Sequence, residues 1–163
     1  IRLYTSPLKP SGYIIGYTLP LIPMAVLQTL VTSLSALIFG LEFSANILLA
    51  SVVSIVPGFL YISVGLLCGT AFSDKMVGVL CGAVLTNLSA WLSNIWFDIS
   101  LVGGAFEKIA GFLPFIHCVN ALRAVFESDY SQIIPELLWV AGYAVVIFAC
   151  AVLLFNRRMK QDK

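Results

Sequence analysis

His117 is the only histidine in the chain, so the residues supply neither a two-histidine metal site nor the H-E-x-x-H helix of a zinc protease. A hydrolytic centre would have to pair it with Asp98 or Glu107, and no G-x-S-x-G turn marks a serine nucleophile. The bland alternative is a histidine that hydrogen-bonds inside a structural element. Cys68, Cys81, Cys118 and Cys150 each stand alone in apolar sequence with no C-x-x-C pair, which argues against a disulfide frame or a thiolate metal site. They read as small buried hydrophobes. No G-x-x-x-x-G-K-[ST] occurs, so any ATP hydrolysis must come from another chain or another part of the protein.

The remaining chemistry is uncharged and polar. Ser51, Ser54, Gly58, Tyr61 and Gly65 recur at spacings of three and four, which puts them on one face of a helix. Gln28, Thr32 and Ser35 share a face of an earlier apolar run, and Asn87 and Asn94 sit in a later one beside Thr86, Ser89 and Ser93. Such faces suit a passage for an amphipathic molecule or a subunit interface. They suit interhelical hydrogen bonding equally well. Gly65 to Gly69 and Gly78 to Gly82 fit the small-xxx-small spacing that lets helix backbones approach. No carboxylate or lysine lies in the middle of an apolar run, so a proton relay or ion-coupled carrier has no machinery here.

The elements that must position these residues are set by composition. The 163 residues are 60% hydrophobic and 10% charged, against roughly 25% charged in a soluble domain. Mean hydropathy is +1.01, so lipid is the solvent for most of the chain. A net charge of +1 gives no field to recruit nucleic acid. Uncharged runs cover 10–41, 43–73, 76–97, 109–122 and 137–156. About 20 apolar residues are needed to cross a hydrocarbon core about 30 Å thick, so the 14-residue run 109–122 is too short.

An all-α membrane protein follows, with four spans at about 19–41, 46–73, 76–97 and 137–156. Residues 98–136 form an outer region in which 109–122 dips in and returns. Residues 1–18 lie at the membrane surface, and 157–163 form a basic tail. Pro57-Gly58 predicts a bend in the second span. Backbone that turns at membrane depth is tolerated only where protein or a cavity covers it, so the outer element reads as a lid. If the first span runs outward, Arg2, Lys9, Lys75, Arg157, Arg158, Lys160 and Lys163 lie inside, and only Lys108 and Arg123 outside. That asymmetry places both ends of the chain in the cytoplasm, with Trp139 and Tyr143 near the opposite interface. The chain starts at Ile1 without methionine and reads as the later part of a longer protein.

Pro114-Phe-Ile-His117, followed by Arg123, resembles the C-terminal signature of the type-2 ATP-binding-cassette (ABC) exporter permeases. The order of parts is similar too: a cytoplasmic segment like Arg2-Leu-Tyr-Thr-Ser-Pro7, three spans, an outer hairpin, and a last span with a basic tail like Asn156-Arg-Arg-Met-Lys160. Asn94-Ile-Trp-Phe-Asp98 departs from the glycine and proline that the family often carries there. The resemblance covers nearly all the chain and implies the last four of six spans. It implies pairing with a second permease chain, identical or not, and docking on two ATPase subunits that carry ATP and Mg, with no cofactor in this chain. It implies that Arg2, Leu3, Tyr4, Pro7, Leu8 and Lys9 couple to the ATPase. Trp96, Asp98, Pro114, His117 and Arg123 would belong to the outer gate, with Arg123 paired to Glu127 or Asp98. Gln28, Thr32, Ser51, Ser54, Tyr61, Asn87 and Asn94 would line the pathway or the dimer face. The implied activity is ATP-driven export of a drug, antibiotic, peptide or lipid-linked glycan across a bacterial cytoplasmic membrane. The alternative class is a non-transporting membrane scaffold or a toxin-immunity protein.

Overall fold

The computed structural model of the chain describes residues 12, 15, 16, 18–40 and 44–161, the last two of these without their side chains. Arg2, Leu3, Tyr4, Pro7, Leu8 and Lys9 lie outside the described residues. Those that are described are helical wherever they are regular, with no strand among them.

Helix α1 (Leu21–Ile38) starts directly after Pro20 and buries none of its residues. It ends at Gly40, whose φ of 96° is one that a side chain would disfavour. Its hydroxyls are returned to its own backbone: Thr29, Thr32 and Ser35 donate to the carbonyls of Ala25, Gln28 and Val31. One polar contact reaches the next helix, between the hydroxyls of Ser33 and Ser51 at 3.3 Å.

The second apolar run becomes α2 (Ala45–Val53) and α3 (Ile55–Ala71), broken at Ser54. The break lies one turn before Pro57 because a proline ring clashes with the carbonyl four residues back, here that of Val53. The Ser54 hydroxyl donates to the Ser51 carbonyl at 2.8 Å across this break. The third run forms α4 (Asp74–Val79), a π-helical stretch (Leu80–Leu85) and α5 (Thr86–Trp91) in unbroken succession. The Thr86 hydroxyl follows the wider spacing and donates to the Cys81 carbonyl, five residues back, at 3.0 Å. This helix stops at Trp91 and does not continue to Phe97 as the apolar run suggests. Asn94 takes a φ of 61°, and its side-chain oxygen accepts from the Ile99 amide at 3.0 Å, which turns the chain.

Then come α6 (Ile99–Val102), α7 (Gly104–Phe112) and α8 (Pro114–Phe126). Helices α7 and α8 meet at a bend of 74°. The last helix, α9 (Tyr130–Gln161), is 32 residues long, about 48 Å at the usual rise. Its first polar turn precedes the apolar run that begins at Leu137, which is why the helix starts earlier than the span. Among the described residues three helical stretches are long and apolar enough to cross a membrane, α1, α2 taken with α3, and α9, or up to four if the bent pair counts as one.

Two buried clusters bind the second run, α8 and α9 together. Val53, Ala121, Ala124, Val125 and Ile133 form one, and Leu60, Cys118, Val140 and Ala144 the other. A third, of Leu92, Ile99, Ala110 and Phe115, joins the end of the third run to the bent pair. Close approach falls to alanines: Ala110, Ala121 and Ala151 are wholly buried. The glycine pairs do not serve it, since a Cβ at Gly65, Gly69, Gly78 or Gly82 would meet nothing within 4 Å. Among the cysteines only Cys118 is buried; Cys68 and Cys81 are half-buried and Cys150 is exposed. At the other end of the bundle Arg158 donates to the Ala71 carbonyl at 2.8 Å, supplying a donor to the C-terminus of α3.

Lipid offers these helices no hydrophobic drive to associate, so fit decides. Ala121→Leu is expected to destabilise the fold by about 1–3 kcal/mol through overpacking. Leu138→Ala, at a position 67% exposed, should leave it nearly unchanged. Thermal unfolding of the purified chain in mild detergent checks both.

Candidate functional site

The bend between α7 and α8 is made by Gly111, Phe112, Leu113 and Pro114. Leu113 leaves helical geometry at φ −79°, ψ 151°, as a residue before proline tends to. Pro114 then opens α8, where its missing N–H costs nothing. Such a bend strands carbonyls at the end of α7, because the residues that would have donated to them have turned away. Here side chains fill the gap. Trp139 Nε1 donates to the Phe112 carbonyl at 3.1 Å, and the Tyr143 hydroxyl donates to the same oxygen at 2.9 Å. His117 Nε2 donates to the Gly111 carbonyl at 2.9 Å.

The other ring nitrogen, Nδ1, meets Glu136 Oε2 in the one ion pair among the described residues. Both groups are largely shielded, with side-chain exposures of 20% and 17%. The Gly111 carbonyl can only accept, so Nε2 must carry a hydrogen. Asn120 Nδ2 adds a long contact to Glu136 Oε1 at 3.5 Å. The Trp139 ring lies 5.3 Å from the His117 ring, and the Trp139 and Tyr143 rings both stand nearly perpendicular to that of Phe112.

On the far side of α8, Arg123 Nη2 donates to the Asn94 carbonyl at 2.5 Å. Arg123 therefore does not form the ion pair with Glu127 or Asp98 that the resemblance implies. Asp98 instead caps α6, its carboxylate accepting from the Ser100 amide at 3.0 Å. Hydrogen bonds from Ser100, and to a lesser degree the charge of Arg123, hold its carboxyl below the usual carboxylate range. Trp96 is exposed, while Pro114 is buried at the bend. Of the expected gate residues, His117 and Pro114 thus lie at the bend, Asp98 and Trp96 on the connection beside it, and Arg123 on α8 where it reaches that connection.

The expected pathway residues are more dispersed. Ser51 meets Ser33, Ser54 sits at the break, and Tyr61 stacks on Phe115 with ring centroids 6.5 Å apart. Gln28, Thr32 and Asn87 remain on the surface of the single chain. Glu136, Asn120 and the donors Trp139 and Tyr143 were not among the residues singled out from the sequence for the gate. Glu136, Trp139 and Tyr143 are spaced three and then four apart, so one face of the last helix carried the signal.

A group whose carboxyl is lowered in the fold adds stability in full above the ordinary carboxylate range and loses it as pH falls through the lowered value. Asp98→Ala is expected to reduce the protection of the Ile99–Val102 amides at neutral pH and to have little effect once the native carboxyl is protonated. Hydrogen–deuterium exchange at several pH values measures this; an equal effect at all pH would assign the protection to something other than the charge.

Among the described residues no group of three histidine, cysteine or acidic side chains could hold a metal ion. No curated protein and no solved structure matches the chain. The family described as ABC-2 family transporter protein matches residues 1–153, which takes in the first four apolar runs, the bent pair and most of the last run. The chain belongs to the ABC-2 transporter family and is an integral membrane permease component of the kind that associates with an ABC ATPase.

Proposed function

We propose that this chain is the membrane subunit of an ATP-driven exporter that moves a hydrophobic or amphipathic molecule outward across a bacterial cytoplasmic membrane. The family match over residues 1–153 carries the reading. Two permease chains pair, and two ATPase subunits that hold ATP and Mg dock beneath them. Arg2, Leu3, Tyr4, Pro7, Leu8 and Lys9 form the docking segment, with Leu3, Tyr4 and Leu8 as its apolar contacts and Arg2 and Lys9 as its charges. ATP-driven closure of the ATPase pair pushes on this segment and shifts the spans between inward- and outward-open arrangements.

The arrangement of polar groups supports this. Gln28, Thr32 and Asn87 are exposed on the single chain, and a polar face on a membrane helix seeks a partner helix or a passenger with polar groups of its own. Passage by rigid-body alternation also fits a chain whose mid-span residues offer no ionisable relay. The end bearing Asp74, Lys75, Arg157 and Arg158 faces the cytoplasm and the bent pair faces outward, in keeping with the lysine and arginine bias. The bend is then reentrant. Tyr143, which holds the Phe112 carbonyl, lies seven residues beyond Glu136, about 10 Å along the helix.

Replacing Leu3 and Tyr4 together with aspartate is expected to cut ATP-driven transport by about tenfold or more, equivalent to about 1.4 kcal/mol, while the chain still inserts in the membrane. Undiminished transport would remove these residues from the coupling role. Single cysteines at Asp74 and Ser128, in a cysteine-free background, should be labelled from the inside and the outside respectively. The reverse pattern would overturn the topology.

A further inference from the structure

The hairpin of α7 and α8 touches two different neighbours, and it is held to them very unequally. Toward α9 it is tied at its bend by the two donors on the Phe112 carbonyl, by His117 through Glu136, and by the nearly perpendicular rings around Phe112. The same side continues into two buried clusters. Toward the connection that follows Trp91 it has one side-chain hydrogen bond, from Arg123 to the Asn94 carbonyl, the stacked rings of Phe97 and Phe106, and the cluster around Leu92 and Ile99. Within that connection Leu92 and Ile99 are buried while Leu101 is 83% exposed, and Asn94 and Gly103 each have a φ of 61°.

We infer that Glu136, Trp139 and Tyr143 are positioning residues that make the hairpin part of the last span, so that the two move as one body. The outer gate then opens at the other seam, between the hairpin and the connection of residues 92–103. The inference rests on the transport reading above and refines it: the hairpin is no independent flap. A hairpin swinging away from α9 would have to leave the Phe112 carbonyl without either of its donors and split the Glu136–His117 pair at once, and in a water-poor setting each such group is costly. Parting from the connection breaks one hydrogen bond to a carbonyl and separates apolar side chains that lipid or a passenger can re-cover.

The test uses the full-length chain with its ATPase in lipid nanodiscs, spin-labelled in pairs on a cysteine-free background. Ile109 and Leu138 report on hairpin against last span, and Ile109 and Leu88 on hairpin against third run; all three positions are exposed. Between the nucleotide-free state and the state trapped with MgADP and vanadate, the Ile109–Leu138 distance should stay constant while the Ile109–Leu88 distance changes. A change in the first pair, or none in the second while the complex hydrolyses ATP, overturns the inference. Trp139→Phe combined with Tyr143→Phe removes both donors and keeps both rings. In that variant the Ile109–Leu138 distribution should broaden even without nucleotide, and an unchanged width also overturns the inference. If no ATPase accompanies the chain, the transport reading fails by itself, and the nucleotide-independent width still decides whether the hairpin is tied to α9.

Discussion

A peptide carbonyl that turns away from its own helix needs another donor, and at the bend of Gly111 and Phe112 this chain supplies donors from side chains. Three serve there: His117 from within the hairpin, and Trp139 and Tyr143 from the last helix. Much else follows from where those donors stand. Trp139 and Tyr143 fix α8 antiparallel to α9, which sets Cys118 against Val140 and Ala121 against Ile133 in the buried clusters. Glu136 holds the histidine so that Nε2 points back at the bend.

Around this centre the helices are kept together by fit and by economy of polar groups. Most hydroxyls in the apolar runs donate to carbonyls of their own helix, as Ser63 does to Phe59 and Ser89 to Leu85. That leaves little to pull helices together except van der Waals contact. The fully buried alanines of α7, α8 and α9 are the consequence. The first run has no such residues and lies at the periphery, joined by the Ser33–Ser51 contact. The third run is continuous but contains a π-helical stretch, a feature that often marks a place where a helix does something other than pack.

The all-helical membrane character was legible from charge spacing alone, because no soluble fold tolerates uncharged runs of that length. The family was legible from Pro114 to His117 with Arg123 and from the order of parts. The polar link between last helix and hairpin was not. Glu136 looked like the charge that ends a loop, and Trp139 and Tyr143 like interfacial aromatics, because a helical face at one end of a span has the same spacing whether it meets headgroups or a neighbouring turn. The pairing of His117 with Glu136 spans 19 residues, a separation that only the α8–α9 packing defines. The end of the third run at Trp91 was hidden for a related reason: Asn94 acts through its backbone conformation, while hydropathy continues unbroken to Phe97.

The depth of the bend in a bilayer tests the account most directly. A nitroxide at position 112 of the full-length chain in lipid nanodiscs should collide readily with oxygen and be shielded from a water-soluble nickel chelate, much as a label at Val145 would be. Nickel accessibility equal to that of a label at Ser128 would place the bend in water. The carbonyls would then need no donors from the last helix, and the hairpin would be a surface loop instead of a reentrant element.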